Sequence, residues 1–195
     1  MQGREALTEE LAETFNCLTG VSKFPEMHEL LVAPFNLYDT LQQLIETEID
    51  HAKAGRPSGV YVKVNALVEE GMTEALYRAT ASDVNVRLMV RGMCALRVGI
   101  PTVSENIEVR SIVGRFLEHS RIFRFENGGD PKIYLGSADW MPRNLFRRVE
   151  TVFPVVTSGM KEHVDEILEW FWRDNVKAKV MQSDGVYKLR NGSEP

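Results

Sequence analysis

Apolar residues in the first 55 positions predict two helices with a short strand between them. The first helix precedes Gly20 and has an apolar stripe that is typical of packing on a core, formed by Leu7, Leu11, Phe15 and Leu18. Residues 30–32 are continuously apolar and predict a short buried strand. A second helix then ends near Gly55, with an apolar face that comprises Leu37, Leu41, Leu44, Ile45 and Ile49.

Alternation with a period of two predicts the next strands. In residues 59–65 the valines alternate with Tyr61, Lys63 and Asn65, and the valine-rich residues 84–90 predict another strand. Residues 72–79 between them have helical spacing. Residues 29–91 therefore predict a βαβαβ order, which favours parallel pairing through right-handed crossovers.

Beyond Arg91 the pattern predicts mixed β structure. Short strands are expected near residues 107–112, 120–125, 132–135 and 149–153, with a hairpin turn at 127–130. A closing helix follows at residues 164–171, where Trp170, Phe171 and Trp172 indicate a thick apolar face or a docking surface. The chain from Gln182 is polar and is predicted to be loosely ordered.

These elements predict one α/β domain with a mixed sheet flanked by helices. We divide the chain into an N-terminal helix and lead-in at residues 1–28, the domain itself at 29–180, and a polar tail at 181–195. A chain of 195 residues with 44% hydrophobic content can bury a full core. It shows neither a membrane span nor the apolar core of a signal peptide, so we expect a cytoplasmic protein with at most a peripheral membrane association.

Charge is distributed unevenly along the chain. The formal net charge is −5, yet residues 87–148 contain 11 basic and 6 acidic residues, and Lys132 is the one lysine among those basic residues. Guanidinium groups suit bidentate contacts to phosphate, so an anionic ligand and a solvated basic face are both open interpretations. The acidic total argues against nucleic-acid binding. Cys17 and Cys94 lie far apart without neighbouring ligands, so neither a disulfide nor a metal site is predicted.

Two polar residues end neighbouring predicted strands. Asn65 closes one strand and Arg91 the next. Ligands of open α/β sheets bind beyond the carboxyl ends of parallel strands, so these side chains are expected in one crevice. A surface cap is the alternative for each residue.

The segment of residues 111–123 carries the strongest local signal. It places His119 between Arg115 and Arg121, beside a predicted strand. A histidine can exchange a proton or form a phosphoramidate near neutral pH, and flanking guanidinium groups would hold phosphoryl oxygens against it. The other three histidines lack such neighbours, and we interpret them as structural.

A small polar turn at residues 136–144 provides further candidates. The Ser137 hydroxyl and the Asn144 amide can donate to a phosphate that approaches the backbone, while Trp140 would stiffen the loop by packing. An ordinary turn is the alternative. We interpret Glu118 and Glu150 as arginine partners rather than acid catalysts.

These motifs resemble two related families. His119-Ser120-Arg121 with Glu126, followed by Gly136-Ser137-Ala138-Asp139, is similar to the His-x-Lys-x4-Asp and Gly-Ser-x-Asn signature of the phospholipase D superfamily, with Arg, Glu and Asp at the Lys, Asp and Asn positions. Longer runs resemble the C-terminal phospholipase D-like domain of polyphosphate kinase. They are residues 63–68, 90–94, 104–107, 111–123, 137–144 and 174–178.

The resemblance implies half of a site for reversible transfer of the ATP γ-phosphoryl group to polyphosphate. It implies that Arg91 and His119 contact ATP phosphates and that the nucleophilic histidine lies in an upstream domain. Mg²⁺ ligands are expected outside this chain, and homodimers are typical of the family. The fragment by itself is expected to be inactive. Alternatives are a phospholipase D-like phosphodiesterase that acts as a homodimer, or a non-catalytic module that binds polyphosphate or nucleotide.

Overall fold

Helices form close to where the apolar spacing predicts them. The computed structural model describes residues 2–21, 23 and 27–190. In this part of the chain the helices are α1 (Gln2–Leu18), α2 (Leu37–Lys53), α3 (Glu70–Ala81), α4 (Pro142–Phe146) and α5 (Ser158–Arg173). Sequence patterns missed α4 because five residues are too few to show a helical period. Pro142 at its start presets the backbone dihedral φ that the first turn needs.

The described residues form a nine-stranded mixed sheet. Its strands are β1 (Leu31–Ala33), β2 (Gly59–Val64), β3 (Asn85–Val90), β4 (Ile107–Ser111), β5 (Arg121–Phe125), β6 (Lys132–Gly136), β7 (Glu150–Pro154), β8 (Lys179–Met181) and β9 (Tyr187–Leu189). The order across the sheet is β1-β7-β6-β5-β2-β3-β4-β8-β9. The mixed α/β fold and the hairpin between β5 and β6 are confirmed.

The predicted βαβαβ order needs one correction. β2 and β3 are parallel, as are β3 and β4, but β1 pairs antiparallel with β7 at the edge of the sheet. Strand patterns report which residues are buried and do not report the partner strand, so the local apolar run of β1 could not distinguish these arrangements.

One face of the sheet, covered by α2 and α3, holds the main core. Val60, Val62 and Val64 of β2 are at most 2% exposed and pack toward these helices. Glu48 on α2 is also buried and accepts hydrogen bonds from the backbone N–H groups of Gly59 and Asn127, at 2.9 and 2.6 Å. Burial raises the pKa of this carboxyl, although these hydrogen bonds oppose the shift. Glu48 thereby joins α2 to both the start of β2 and the β5–β6 turn.

The opposite face is covered by α5. Phe171 and Trp172 of this helix are half-buried, and each ring contacts a cationic side chain. Lys63 lies over the Phe171 ring and Arg110 over the Trp172 ring. Trp170 is 71% exposed, and a docking surface at this position stays a prediction.

Two terminal segments differ from the predictions. Helix α1 forms, but Leu11, Phe15 and Leu18 are exposed, so its apolar stripe does not pack on the core of this domain. The prediction of a loosely ordered tail is wrong as far as Arg190, because β9 pairs antiparallel with β8 and extends the sheet. Residues 191–195 of that tail lie outside the described residues.

Candidate functional site

An open cleft of about 590 Å³ lies beyond the carboxyl ends of β2 and β3. Its size is ordinary for a small-molecule site. Of the residues proposed from the sequence, it is lined by Asn65, Arg91, His119, Arg121, Ser137 and Asn144. The strands that carry or flank most of these residues are β6, β5, β2 and β3, which are neighbours in the sheet although they come from separate parts of the chain.

Three chain segments meet to form the cleft. The loop after β2 lies between the loop after β3 and the turn after β6. The Leu67 N–H donates to the Met93 carbonyl at 2.9 Å on one side, and the Trp140 N–H donates to the Ala66 carbonyl at 3.0 Å on the other. Trp140 is fully buried and stacks on Phe123, with ring centroids 5.9 Å apart. The packing of Trp140 that the sequence predicts is therefore present.

Asp139 lines the cleft, and the residue as a whole is 6% exposed. Its Oδ1 accepts from the Asn65 backbone N–H at 2.7 Å, and the Arg121 guanidinium donates to both of its oxygens, at 3.2 and 2.9 Å. Burial by itself raises the pKa of this carboxyl, but the hydrogen bonds from Arg121 and Asn65 outweigh burial and hold the pKa below its ordinary value. Asp139 is therefore a carboxylate at neutral pH.

His119 contacts the same guanidinium. Arg121 Nη1 lies 2.9 Å from His119 Nδ1 and donates to the His119 carbonyl at 2.8 Å. The imidazole lies at the surface and is not packed into the apolar interior. The expected cluster of imidazole and guanidinium therefore exists, and Arg121 is largely committed to contacts within the protein.

Arg91 is held on the other side of the cleft by Asn65. Its Nε and Nη2 donate to Asn65 Oδ1 at 3.1 and 2.8 Å, while Asn65 Nδ2 lies 3.3 Å from Asp139 Oδ1. Among the described residues, Nη1 of Arg91 has no hydrogen-bond partner. It can donate to an anion in the cleft. Asn65 thus orients the Arg91 side chain, which a simple surface cap would not do.

Ser137 and Asn144 both bind Glu150. The Ser137 hydroxyl and the Asn144 amide donate to the two Glu150 oxygens, each at 2.5 Å. The expectation that Glu150 pairs with an arginine is wrong, because these neutral donors occupy it. Asn144 Oδ1 is buried without a partner among the described residues. Glu118 is exposed and lies with Lys63 and Arg91 around a small neighbouring cavity.

Arg115 does not line the cleft. It is exposed on the loop that precedes His119, with its guanidinium 5.8 Å from the centroid of the Phe116 ring. Its grouping with His119 rests on proximity in the sequence and on the need for positive charge near phosphoryl oxygens, and the structure does not place it among the residues that line the cleft.

Some residues of the cleft were missed as site candidates. Arg143 and Arg148 line it and add exposed positive charge, and Asp139 also lines it. The position of Asp139 in the Gly-Ser-x-Asn signature was a usable signal. Lys63 lines the small neighbouring cavity together with Arg91. Because Tyr61, Lys63 and Asn65 occupy alternate positions, the sequence could have placed all three on one face of the sheet.

A second cavity of about 210 Å³ lies between α5 and the sheet. Its arginines are already paired, Arg124 with Asp165 at 2.6 Å and Arg87 with Glu169 at 3.5 Å. Aromatic rings complete its lining. The cleft, with unpaired cationic groups, is the better candidate for binding an anion.

Comparison with known proteins identifies the family. Residues 30–195 match the family model described as "Polyphosphate kinase C-terminal domain 2". The chain belongs to the polyphosphate kinase family. It is 51% identical over 183 residues to polyphosphate kinase of Pseudomonas aeruginosa, and 47% identical over 187 residues to that of Thermosynechococcus vestitus. These matches cover 94% and 96% of the chain and 26% of each relative. The chain therefore spans about a quarter of the length of these polyphosphate kinases.

Solved structures agree with this assignment. Polyphosphate kinase from Porphyromonas gingivalis superimposes with a TM-score of 0.93 at 36% identity, over 96% of this chain and 29% of that chain. Nuc from Salmonella typhimurium, a phospholipase D family member, gives a TM-score of 0.53 at 15% identity, over 74% of this chain and 92% of that chain. The second likeness shows the phospholipase D-like fold. In the described part of the chain no helix is long and apolar enough to cross a membrane.

Proposed function

We propose that this domain forms one side of the phosphoryl-transfer site of a polyphosphate kinase, and that its cleft binds the phosphate chains of ATP, ADP and polyphosphate. The observation that carries the proposal is the convergence of Arg91 and His119 on one open cleft, with Arg143 and Arg148 beside them. Phosphoryl transfer relies on positioning and on charge placed against the phosphoryl oxygens, and this set of groups can supply both.

Each group has a distinct role in the proposal. Arg91, oriented by Asn65, donates a charge-assisted hydrogen bond to a phosphate oxygen. His119 donates a hydrogen bond, or a proton, to the phosphoryl group in transfer. Arg143 and Arg148 are exposed and attract the polyanion to the cleft.

Magnesium is a cofactor that the family resemblance implies, and the residues of this cleft do not fit it. Asp139 is occupied by Arg121 and Asn65, and Glu150 by Ser137 and Asn144. Within the described residues no cluster of three or more His, Cys, Asp or Glu side chains could hold a metal. We therefore expect the ligands of the ion on other domains.

The proposal places the phosphate-accepting histidine on an upstream domain of the same enzyme, so this chain contributes half of the site. We expect no turnover from the chain by itself with ATP and magnesium. Joined to the upstream domains of the Pseudomonas aeruginosa relative, the domain should form polyphosphate. His119→Ala in that joined enzyme should then lower kcat by about a hundred-fold or more, in the range of a lost general acid.

A matched control is His163→Ala, which removes a largely exposed histidine on α5. It should leave kcat unchanged. Unchanged kcat in His119→Ala would remove this residue from the chemical step. Polyphosphate synthesis by the isolated chain would contradict the half-site proposal.

Two alternative functions make different predictions. Hydrolysis of a generic phosphodiester by a purified dimer would favour a phospholipase D-like phosphodiesterase, although Arg121 and Asp139 stand where that signature has lysine and asparagine. Binding of polyphosphate without turnover in the joined enzyme would favour a non-catalytic module. Homodimer formation stays a prediction that sedimentation of the joined enzyme can test.

A further inference from the structure

The guanidinium of Arg121 divides its hydrogen bonds between two side chains. Nε and Nη2 form a fork on the Asp139 carboxylate, at 3.2 and 2.9 Å. Nη1 carries the remaining two hydrogens and contacts His119 at both the Nδ1 atom and the carbonyl oxygen, at 2.9 and 2.8 Å. Four of the five N–H groups of this arginine therefore have partners among the described residues, and both hydrogens of Nη1 are directed to His119.

This geometry determines the protonation pattern of the imidazole. Arginine has five donors and no acceptor, so His119 Nδ1 must accept the hydrogen bond from Nη1. A neutral imidazole that accepts at one nitrogen carries its hydrogen on the other. His119 is therefore held as the tautomer with hydrogen on Nε2, and its N–H group is on the side of the ring away from Arg121.

Burial makes this arrangement rigid. The side chains of Arg121 and Asp139 are each 9% exposed, and the Asn65 backbone N–H donates to the same carboxylate. Lys63 holds the next residue, because its Nζ donates to the Ser120 carbonyl and hydroxyl at 3.0 and 2.9 Å. The carbonyl groups of His119 and Ser120 thus each accept a hydrogen bond from a buried cation of the sheet.

We propose that Asp139 and Arg121 are positioning residues that hold His119 as the Nε2–H tautomer and direct that N–H toward the phosphoryl group. The part about the phosphoryl group rests on the proposed function. The tautomer itself is a property of this chain alone and does not require a bound substrate. Asp139 holds the guanidinium, and the guanidinium in turn holds the imidazole.

The proposal gives a physical reason for arginine at position 121. A lysine there has one nitrogen, and that ammonium group cannot form a fork on Asp139 and also reach both His119 atoms. Arg121→Lys keeps the charge beside Asp139 and removes the second function. The variant therefore separates charge balance from positioning.

The test is ¹⁵N NMR of the histidine ring in the isolated chain, since protonated and unprotonated ring nitrogens have widely separated shifts. We expect His119 in the unmodified chain to show an unprotonated Nδ1 and a protonated Nε2. Arg121→Lys should shift both nitrogens toward the averaged values of mixed tautomers. Arg124→Lys is the matched control, because Arg124 lies on the same strand with carboxylate partners outside the cleft, and it should leave His119 unchanged.

Two results would overturn the proposal. One is a protonated Nδ1 on His119 in the unmodified chain, a measurement that needs no variant to fold. The other is an Arg121→Lys chain, folded by its amide spectrum, in which the His119 ring shifts do not move. In the joined enzyme Arg121→Lys should lower kcat with little change in the KM for ATP. Failure of the chain to bind phosphates would instead contradict the proposed function and leave the tautomer result standing.

Discussion

Two neighbouring regions of the cleft are built in opposite ways. We call Asn65, Asp139 and Arg121 the cleft floor, and residues 112–118 the rim loop. Floor side chains are joined to one another by hydrogen bonds, and Asp139 and Arg121 are almost completely buried. On the rim loop, Phe116 and Leu117 are 79% and 68% exposed. The floor can hold a fixed geometry, whereas packing does little to constrain the rim loop.

The two arginines around His119 illustrate what this difference means. Arg115 and Arg121 lie four residues before and two residues after the histidine, and both suggested phosphate binding from sequence. Arg121 belongs to the floor and is committed to Asp139 and His119. Arg115 belongs to the rim loop and lies outside the cleft. Positive charge near a histidine therefore does not show whether a guanidinium binds ligand, positions a neighbour or faces solvent.

The largest expected effect comes from removing the packing beneath the floor. Trp140→Ala should lower the free energy of unfolding by about 3–5 kcal/mol, because a fully buried ring is lost and a cavity remains. Its indole N–H has no hydrogen-bond partner among the described residues, so the cost is one of packing. Phe116→Ala on the rim loop should stay within about 0.5 kcal/mol. Equal effects in urea unfolding would erase the distinction between floor and rim loop.

A smaller effect is expected from breaking the charge pair of the floor. Asp139→Asn should cost about 3 kcal/mol at pH 7, because Arg121 keeps a buried charge without its counter-ion. Asp165→Asn, which removes a more exposed partner of Arg124, should cost at most about 1 kcal/mol. Urea unfolding of both variants would compare a buried pair with an exposed one.

The same variant predicts a pH dependence. The pKa of Asp139 is lowered in the folded protein, so its stabilisation is present above the ordinary aspartate pKa of about 3.9 and is lost as pH falls through the lower folded-state value. The difference in unfolding free energy between the unmodified chain and Asp139→Asn should therefore shrink below about pH 4. A difference that stays constant into acid would contradict the charge-pair account.

Much of the fold follows from local patterns. The sequences of β2 and β3 are rich in valine and have apolar residues at alternate positions, and both are strands within a residue of the predicted bounds. The edge position of β1 depends on pairing with the distant strand β7, which local spacing does not report. The hairpin of β8 and β9 is local, but its strands have three residues each and are too short to show a period. The exposed stripe of α1 shows a related limit, because amphipathic spacing predicts a helix without saying what covers it.

Part of the site was also predictable from the sequence, because two of its residues end neighbouring predicted strands. Asn65 and Arg91 were located by the rule that ligands bind at the carboxyl ends of parallel strands, and the cleft contains both. The role of Arg121 depends on Asp139, 18 residues later in the chain, and no spacing rule joins them. The hydrogen bonds from Ser137 and Asn144 to Glu150 could not be predicted either. From the sequence, Ser137 and Asn144 were candidates for binding ligand, and Glu150 for pairing with an arginine.

The central claim is that the cleft binds phosphate chains through Arg91, and the most direct test is titration calorimetry of inorganic tripolyphosphate into the isolated chain at low salt. Arg91→Ala should weaken binding by about ten-fold or more, the value of a charge-assisted hydrogen bond. Arg115→Ala removes the same charge outside the cleft and should change the Kd by less than about two-fold, the range of a screened surface charge. Equal weakening in both variants, or no loss in Arg91→Ala, would contradict the account.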